Sequence, residues 1–129
     1  MLSNEPWITL GRDIYLEFEQ DCLDGLDAGA ITDRIHSVYD ERSQTGWCYT
    51  NPNAMIVTMA LVTGGGDFGK SICTAVQAAF DTDCNGATVG SVVGMLKGSG
   101  AIGADWAAPV NGMLDTTIFG VSRVRIQDC

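Results

Sequence analysis

The sequence predicts an all-α fold, a compact helical bundle that forms one domain. Apolar side chains recur at the spacing of one helix face in the segments 27–41 and 70–80. In a third segment, 85–97, glycine returns at every fourth position, which places these glycines on one side of a helix. A chain of 129 residues has the length of a single domain and can bury one core. Residues 1–129 are therefore expected to form one domain.

The N-terminal third is predicted to be an irregular lead-in followed by helices. Residues 1–10 form the lead-in, and 13–23 favours a helix although its apolar spacing also fits a strand. The segment 27–41 is a clearer helix, and either Asp27 or Thr32 is expected to cap its start. Its apolar face consists of Ile31, Ile35, Val38 and Tyr39.

The middle of the chain alternates breaks and apolar runs. Residues 43–53 are predicted to form a loop, because a glycine and a proline interrupt them. The run 54–63 is almost wholly apolar, and its period does not distinguish a buried helix from a buried strand. Three glycines follow, and Asp67 stands where the N-cap of the helix 70–80 is expected.

The C-terminal segments carry weaker patterns. After the helix 85–97, the sequence indicates a turn and then one short helix around Gly112–Ile118. The tail 121–129 alternates weakly between apolar and polar residues, which is typical of an extended segment.

Charge and cysteine content restrict the function classes. A net charge of -9 argues against nucleic acid and anionic membrane surfaces, both of which attract basic proteins. No apolar run approaches 18 residues, so no transmembrane helix is predicted. The five cysteines are odd in number and contain no CxxC pair. They are expected to be reduced thiols in a cytoplasmic protein without a signal peptide.

Two aspartates directly precede the glycine-rich helix. Asp81 and Asp83 lie two positions apart at its start, where negative charge stabilises a helix terminus. They can therefore be caps. Carboxylate oxygens are also the ligands that Mg²⁺ and Mn²⁺ prefer, so the same pair can form part of a metal site. The pattern alone leaves both interpretations open.

Longer motifs around these aspartates resemble a known family. The run "NAMIVTMALVTGGGDFGKSICTAVQAAFDTDCNGATVGSVVGMLKGSGAIGADW" contains an asparagine loop, a GDF turn, a D-T-D motif and an A-I…W turn in that order. It is similar to the C-terminal part of the ADP-ribosylglycohydrolase family, which includes the dinitrogenase reductase-activating glycohydrolases. The resemblance extends over about residues 24–128.

The resemblance implies a fold, a reaction and a set of site residues. Members are all-α, hold two divalent metals, usually Mg²⁺ or Mn²⁺, and hydrolyse the glycosidic bond of ADP-ribosyl groups. By the D-T-D match, Asp81 and Asp83 are metal ligands, and Cys84 occupies a position where many members have a metal-binding threonine. Thr50 and Asn53 belong to a loop that approaches the substrate in the family. The implied partner is ADP-ribose or an ADP-ribosylated substrate.

The sequence also departs from the family. The G-D-A-x-G and T-D-D segments, which complete the metal site in members, are absent from these 129 residues. We therefore expect a partial domain, either a fragment or a natural truncation, that is inactive alone and needs a complementary N-terminal segment or a homo-oligomer. The alternative is a truncated, non-catalytic helical interaction module that self-associates through its glycine face.

Overall fold

The computed structural model describes residues 18, 20, 24, 25 and 27–128. Phe18 and Gln20 are helical, and the Phe18 side chain is buried in the core. The predicted lead-in 1–10 and the rest of the predicted helix 13–23 lie outside the described residues. Within the described part of the chain, no helix is both long and apolar enough to cross a membrane.

The described chain is mainly helical, which confirms the predicted fold class. Four long helices are followed by a very short one and by an antiparallel hairpin, with 3₁₀ turns between them. The helices are α1 Ala28–Val38, α2 Thr50–Gly64, α3 Phe68–Gln77, α4 Thr82–Lys97 and α5 Ala104–Ala107. The strands are β1 Met113–Ile118 and β2 Val121–Arg125. The 3₁₀ turns are Gly46–Cys48, Ser99–Ala101, Ala108–Val110 and Ile126–Asp128.

Helix α1 begins at the cap that its sequence predicts. The Asp27 carboxylate accepts hydrogen bonds from the backbone N–H groups of Gly29, at 2.8 Å, and Ala30, at 3.1 Å. Thr32, the other candidate cap, lies inside the helix, where its hydroxyl donates to the Ala28 carbonyl. Ile31 and Ile35 are buried in the core, as the helical spacing predicts.

Helix α2 starts earlier than expected, at Thr50, so the predicted loop 43–53 ends four residues sooner. Pro52 lies in the first helical turn, where its missing N–H removes no intrahelical hydrogen bond. The apolar run 54–63 is helical, and the side chains of Ile56 and Met59 are fully buried. Burial on several sides explains why the run shows no periodicity.

Helices α2 and α3 are joined by a tight turn. Gly65 and Gly66 have φ values of 63° and 80°, which glycine adopts without steric cost. Asp67 then caps α3, because its carboxylate accepts a hydrogen bond from the Lys70 N–H at 2.7 Å. Gly64 lies so close to α3 that a methyl group on it would be 3.0 Å from the Ser71 Cα.

The glycine stripe of α4 packs against α3. A methyl group at Gly90 would lie 3.1 Å from the Ile72 Cδ1, and one at Gly86 would lie 3.1 Å from the Val76 Cγ2. This close approach offsets the roughly 0.5–1 kcal/mol that an interior glycine costs a helix relative to alanine. Since α3 covers the stripe, self-association through the glycine face, as the alternative hypothesis expected, is wrong.

The short helix predicted around Gly112–Ile118 is also wrong, because Met113–Ile118 forms strand β1. Its last three residues are β-branched, which favours the extended conformation. The strand pairs with β2 in a register that places Asp115 opposite Arg123, and their charged atoms lie 3.4 Å apart. The extended tail is confirmed over Val121–Arg125, and a 3₁₀ turn follows it.

We expect Gly64→Ala to lower the free energy of unfolding by about 1–3 kcal/mol, because the added methyl group would press on the Ser71 backbone. Gly94→Ala is the matched control. Its methyl group would meet only the Phe68 Cε2, at 3.7 Å, and should stabilise the helix by about 0.5–1 kcal/mol. Urea unfolding followed by circular dichroism measures both. Equal effects of the two substitutions would contradict the assigned α2–α3 contact.

Candidate metal centre

The candidate site is the first turn of α4. Asp81 occupies the N-cap position, and Asp83 lies in the first turn. Within the described part of the chain, the Asp81 carboxylate accepts no capping hydrogen bond from the helix. The capping interpretation therefore does not explain the Asp81 side chain. Asp83 gains a favourable interaction with the helix dipole, but its exposed carboxylate is open to other ligands.

Three side chains converge at this turn. One donor atom each of Asp81, Asp83 and Cys84 lies within 4.8 Å of the other two, close enough to hold one metal ion. Asp81 is half-buried, whereas Asp83 and Cys84 are exposed. The two carboxylates fit a hard cation such as Mg²⁺ or Mn²⁺, and the softer thiol fits such ions poorly. Two carboxylates supply only part of an octahedral ligand set.

The Cys84 thiol depends on the same carboxylates. A hydrogen bond to Asp81 raises the pKa of Cys84 above its usual value, and the negative charges of Asp81 and Asp83 raise it further. The metal-free thiol is therefore protonated at neutral pH. A protonated thiol is a weak metal ligand, because the thiolate is the form that coordinates.

The backbone before Asp81 has an unusual conformation. Ala79 and Phe80 have φ values of 66° and 56°, in the left-handed region. Residues with a Cβ disfavour this region by roughly 1–2 kcal/mol each. The Thr82 N–H then donates to the Phe80 carbonyl at 3.0 Å, which closes a tight turn around Asp81. A conformation of this cost persists only where surrounding contacts hold it.

Side chains from three other segments hold this loop. The His36 Nε2 donates to the Ala78 carbonyl at 3.0 Å, so Nε2 carries the ring proton. The Glu41 carboxylate accepts a hydrogen bond from the Phe80 N–H, and the Asn53 side chain accepts one from the Asp81 N–H, each at 3.1 Å. The buried Phe80 ring packs on the His36 ring, with 4.8 Å between centroids.

Asn53 has its whole side-chain amide engaged. Its Nδ2 donates to the carbonyls of Trp47, at 2.9 Å, and Tyr49, at 2.8 Å. Its Oδ1 accepts from the Asp81 N–H and from the Asn85 Nδ2, the latter at 2.7 Å. The opposite amide orientation would place donors against donors, so this assignment is the consistent one. Asn53 therefore connects α2 to the start of α4.

An open groove runs beside this network, between α2 and α4. Thr50 and Asn53, the two residues predicted to contact substrate, both lie along it. Thr50 is exposed, whereas the Asn53 amide is used within the protein. Direct substrate contact by either residue stays a prediction. The remaining lining residues are Ala54, Val57, Thr58, Asn85 and Thr88.

Sequence reasoning placed the aspartates but missed Glu41 as a contributor to the site. Glu41 follows α1 and lies 39 positions before the backbone group that it binds. No local pattern marks such a contact. The buried Asn85 was identified only as part of the D-T-D motif, and its hydrogen bond to Asn53 becomes visible only in the structure.

The Cys84 pKa leads to a reactivity prediction. We expect Asp81→Asn to lower the pKa of Cys84, because it removes the charge that disfavours the thiolate. At a pH below that pKa, the thiolate fraction and the iodoacetamide alkylation rate of Cys84 then rise. Peptide mass spectrometry measures the rate, with the exposed Cys48 and Cys73 as internal controls. An unchanged Cys84 rate would refute the assigned contact.

The Asn53 network leads to a stability prediction. Asn53→Ala should lower the free energy of unfolding by about 2 kcal/mol or more, because it leaves several backbone and side-chain groups without partners. Thr50→Ala, on the exposed side of the same helical turn, should change it by no more than about 0.5 kcal/mol. Thermal and urea unfolding measure both variants. Similar stabilities would show that the network contributes little.

Comparison with known proteins supports one family. The model of the family described as ADP-ribosylglycohydrolase matches residues 9–126, which starts earlier in the chain than the motifs quoted above. Among curated proteins and among solved structures, nothing matches the chain. The family match covers nearly the whole sequence, including the D-T-D turn and the helices that support it. The chain therefore belongs to the ADP-ribosylglycohydrolase family.

Proposed function

We propose that this protein contributes to the hydrolysis of the N- or O-glycosidic bond of ADP-ribosyl groups, with a divalent cation held by Asp81 and Asp83. The observation that carries the proposal is the convergence of the two carboxylates on the first turn of α4. Family membership supplies the reaction class. Mg²⁺ and Mn²⁺ are the proposed ions, because both prefer carboxylate oxygens.

The residues of this chain would bind and orient the reacting groups. A bound cation would supply Lewis acidity for polarising an oxygen and activating water. Asp81 and Asp83 would hold it from a rigid helix terminus, since α4 packs closely on α3. The groove beside Thr50 would accept part of the ADP-ribosyl group, with the exposed Thr50 hydroxyl able to donate to or accept from a ribose hydroxyl.

The proposed site needs ligands beyond those described. Asp81 and Asp83 provide two carboxylates, whereas an octahedral ion takes six ligands. Phosphate oxygens of the substrate and water can fill some positions. The G-D-A-x-G and T-D-D segments are absent from this sequence, so we propose that a complementary segment or a second copy of the chain supplies the others.

A second candidate function is a non-catalytic helical module. The missing G-D-A-x-G and T-D-D segments favour it, as does an exposed apolar strip near the end of α4. Met95 and Leu96 in this strip are 84% and 73% exposed, which is high for large apolar side chains. This candidate predicts neither metal binding nor release of ADP-ribose.

Calorimetric titration with Mn²⁺ separates the two candidates. We expect the wild-type chain to bind Mn²⁺ and the Asp81→Asn/Asp83→Asn double variant to bind at least roughly tenfold more weakly, because both hard ligands are lost. Asp105→Asn, which removes a carboxylate from the short helix α5, is the charge-matched control. Equally poor binding by the wild type and the double variant would favour the non-catalytic module.

An activity assay addresses the reaction itself. The chain is incubated with an ADP-ribosylated protein and Mn²⁺, with and without a separately expressed family segment that carries the G-D-A-x-G and T-D-D motifs. We expect release of ADP-ribose only in the combined sample, and its loss in the Asp81→Asn/Asp83→Asn variant. Release that persists in this variant would contradict the assigned ligands.

A further inference from the structure

The carboxylate of Glu41 lies at an unexpected place in the fold. It comes from the turn after α1, is partly buried, and accepts a hydrogen bond from the Phe80 N–H at 3.1 Å. The next N–H along the chain, that of Asp81, donates to Asn53. Two successive backbone donors are thus held by side chains from two separate segments, directly before the candidate ligands.

This arrangement fixes the direction in which Asp81 leaves the backbone. Ala79 and Phe80 are both left-handed, a conformation that neither residue prefers. If Phe80 relaxed to an ordinary φ, the chain would turn differently and the Asp81 carboxylate would move away from Asp83. The contact with Glu41 opposes this relaxation, since it satisfies the Phe80 N–H only in the observed geometry.

Glu41 is itself firmly placed. The turn that carries it is closed by a hydrogen bond from the Arg42 N–H to the Asp40 carboxylate at 2.9 Å. The Ser43 hydroxyl and the Ser43 N–H both donate to the Asp40 carbonyl. Gly46 packs against the same peptide, because a methyl group there would lie 3.0 Å from the Asp40 carbonyl carbon. The carboxylate therefore projects from a constrained turn.

We propose that Glu41 is a positioning residue for the Asp81–Asp83 pair, acting through the Phe80 N–H rather than by binding the metal. The inference rests on the proposed function for its metal-binding consequence. Glu41 is not a member of the group of candidate ligands, and its Oε2 is already used by the backbone. Residues that orient metal ligands in this way typically change metal affinity by roughly 10–100-fold when they are replaced.

The first test needs no metal. Amide hydrogen exchange of the full chain is measured by NMR for wild type, Glu41→Ala and Glu41→Gln. We expect Glu41→Ala to speed exchange at Phe80 by about three- to tenfold, the equivalent of one lost hydrogen bond. Glu41→Gln keeps an acceptor oxygen and should exchange like wild type. Unchanged exchange at Phe80 in Glu41→Ala would overturn the proposal.

The second test measures Mn²⁺ affinity of the same three proteins by calorimetry. We expect Glu41→Ala to bind at least roughly tenfold more weakly than wild type, and Glu41→Gln to recover most of the affinity. A purely structural role predicts a loss of thermal stability with unchanged Mn²⁺ affinity of the folded fraction. Equal losses in Glu41→Ala and Glu41→Gln would show that charge matters rather than the hydrogen bond, which also overturns the proposal.

The outcomes distinguish this proposal from the proposed function. If wild type binds no Mn²⁺, the proposed metal site fails, and the exchange rate at Phe80 alone decides whether Glu41 holds the loop. If wild type binds Mn²⁺ and Glu41→Ala binds equally well, the site stands and the positioning role fails. His36→Ala, which removes the contact to the Ala78 carbonyl, serves as a second variant should Glu41→Ala fail to fold. We expect it to weaken Mn²⁺ binding as well, and full affinity would count against a held loop.

Discussion

The hydrogen bonds of the Asn53 amide are the constraint on which the candidate site depends. This one side chain joins two carbonyls before α2 to the Asp81 N–H and the Asn85 side chain at the start of α4. A buried amide is stabilising only when its donors and acceptors are all satisfied, and Asn53 meets this condition. The relative placement of α2 and α4 is therefore fixed at the same point where the two aspartates emerge.

Close packing supplies the second half of the support. The stripe of glycines on α4 allows Ile72 and Val76 of α3 to approach the helix backbone itself. On the other side of α3, Gly64 allows an equally close approach of α2. The three helices thus form a layered unit with little free space, and a carboxylate at one end of α4 is attached to a rigid base. Rigidity of this kind helps a metal site, since its ligands need little reorganisation on binding.

Local signals in the sequence were sufficient for the caps and the D-T-D turn. Asp27 and Asp67 cap the helices they were expected to cap, because capping involves only neighbours in sequence. The hairpin was missed because strand β1 is stabilised by pairing with β2, which no window around Gly112–Ile118 contains. The left-handed Ala79 and Phe80 were equally invisible, since their side chains disfavour that conformation and only distant partners enforce it.

The contacts that shape the 78–81 loop also have a consequence for folding. Helices α3 and α4 are adjacent in sequence and can pair through short-range contacts, which form rapidly. The loop between them instead takes its shape from partners 28, 39 and 42 positions away, at Asn53, Glu41 and His36. Closing such long loops carries an entropic cost that is recovered only when α1 and α2 have docked. The geometry of the aspartate pair is therefore among the last features of the chain to form, and it belongs to the completed fold rather than to the motif that encodes it.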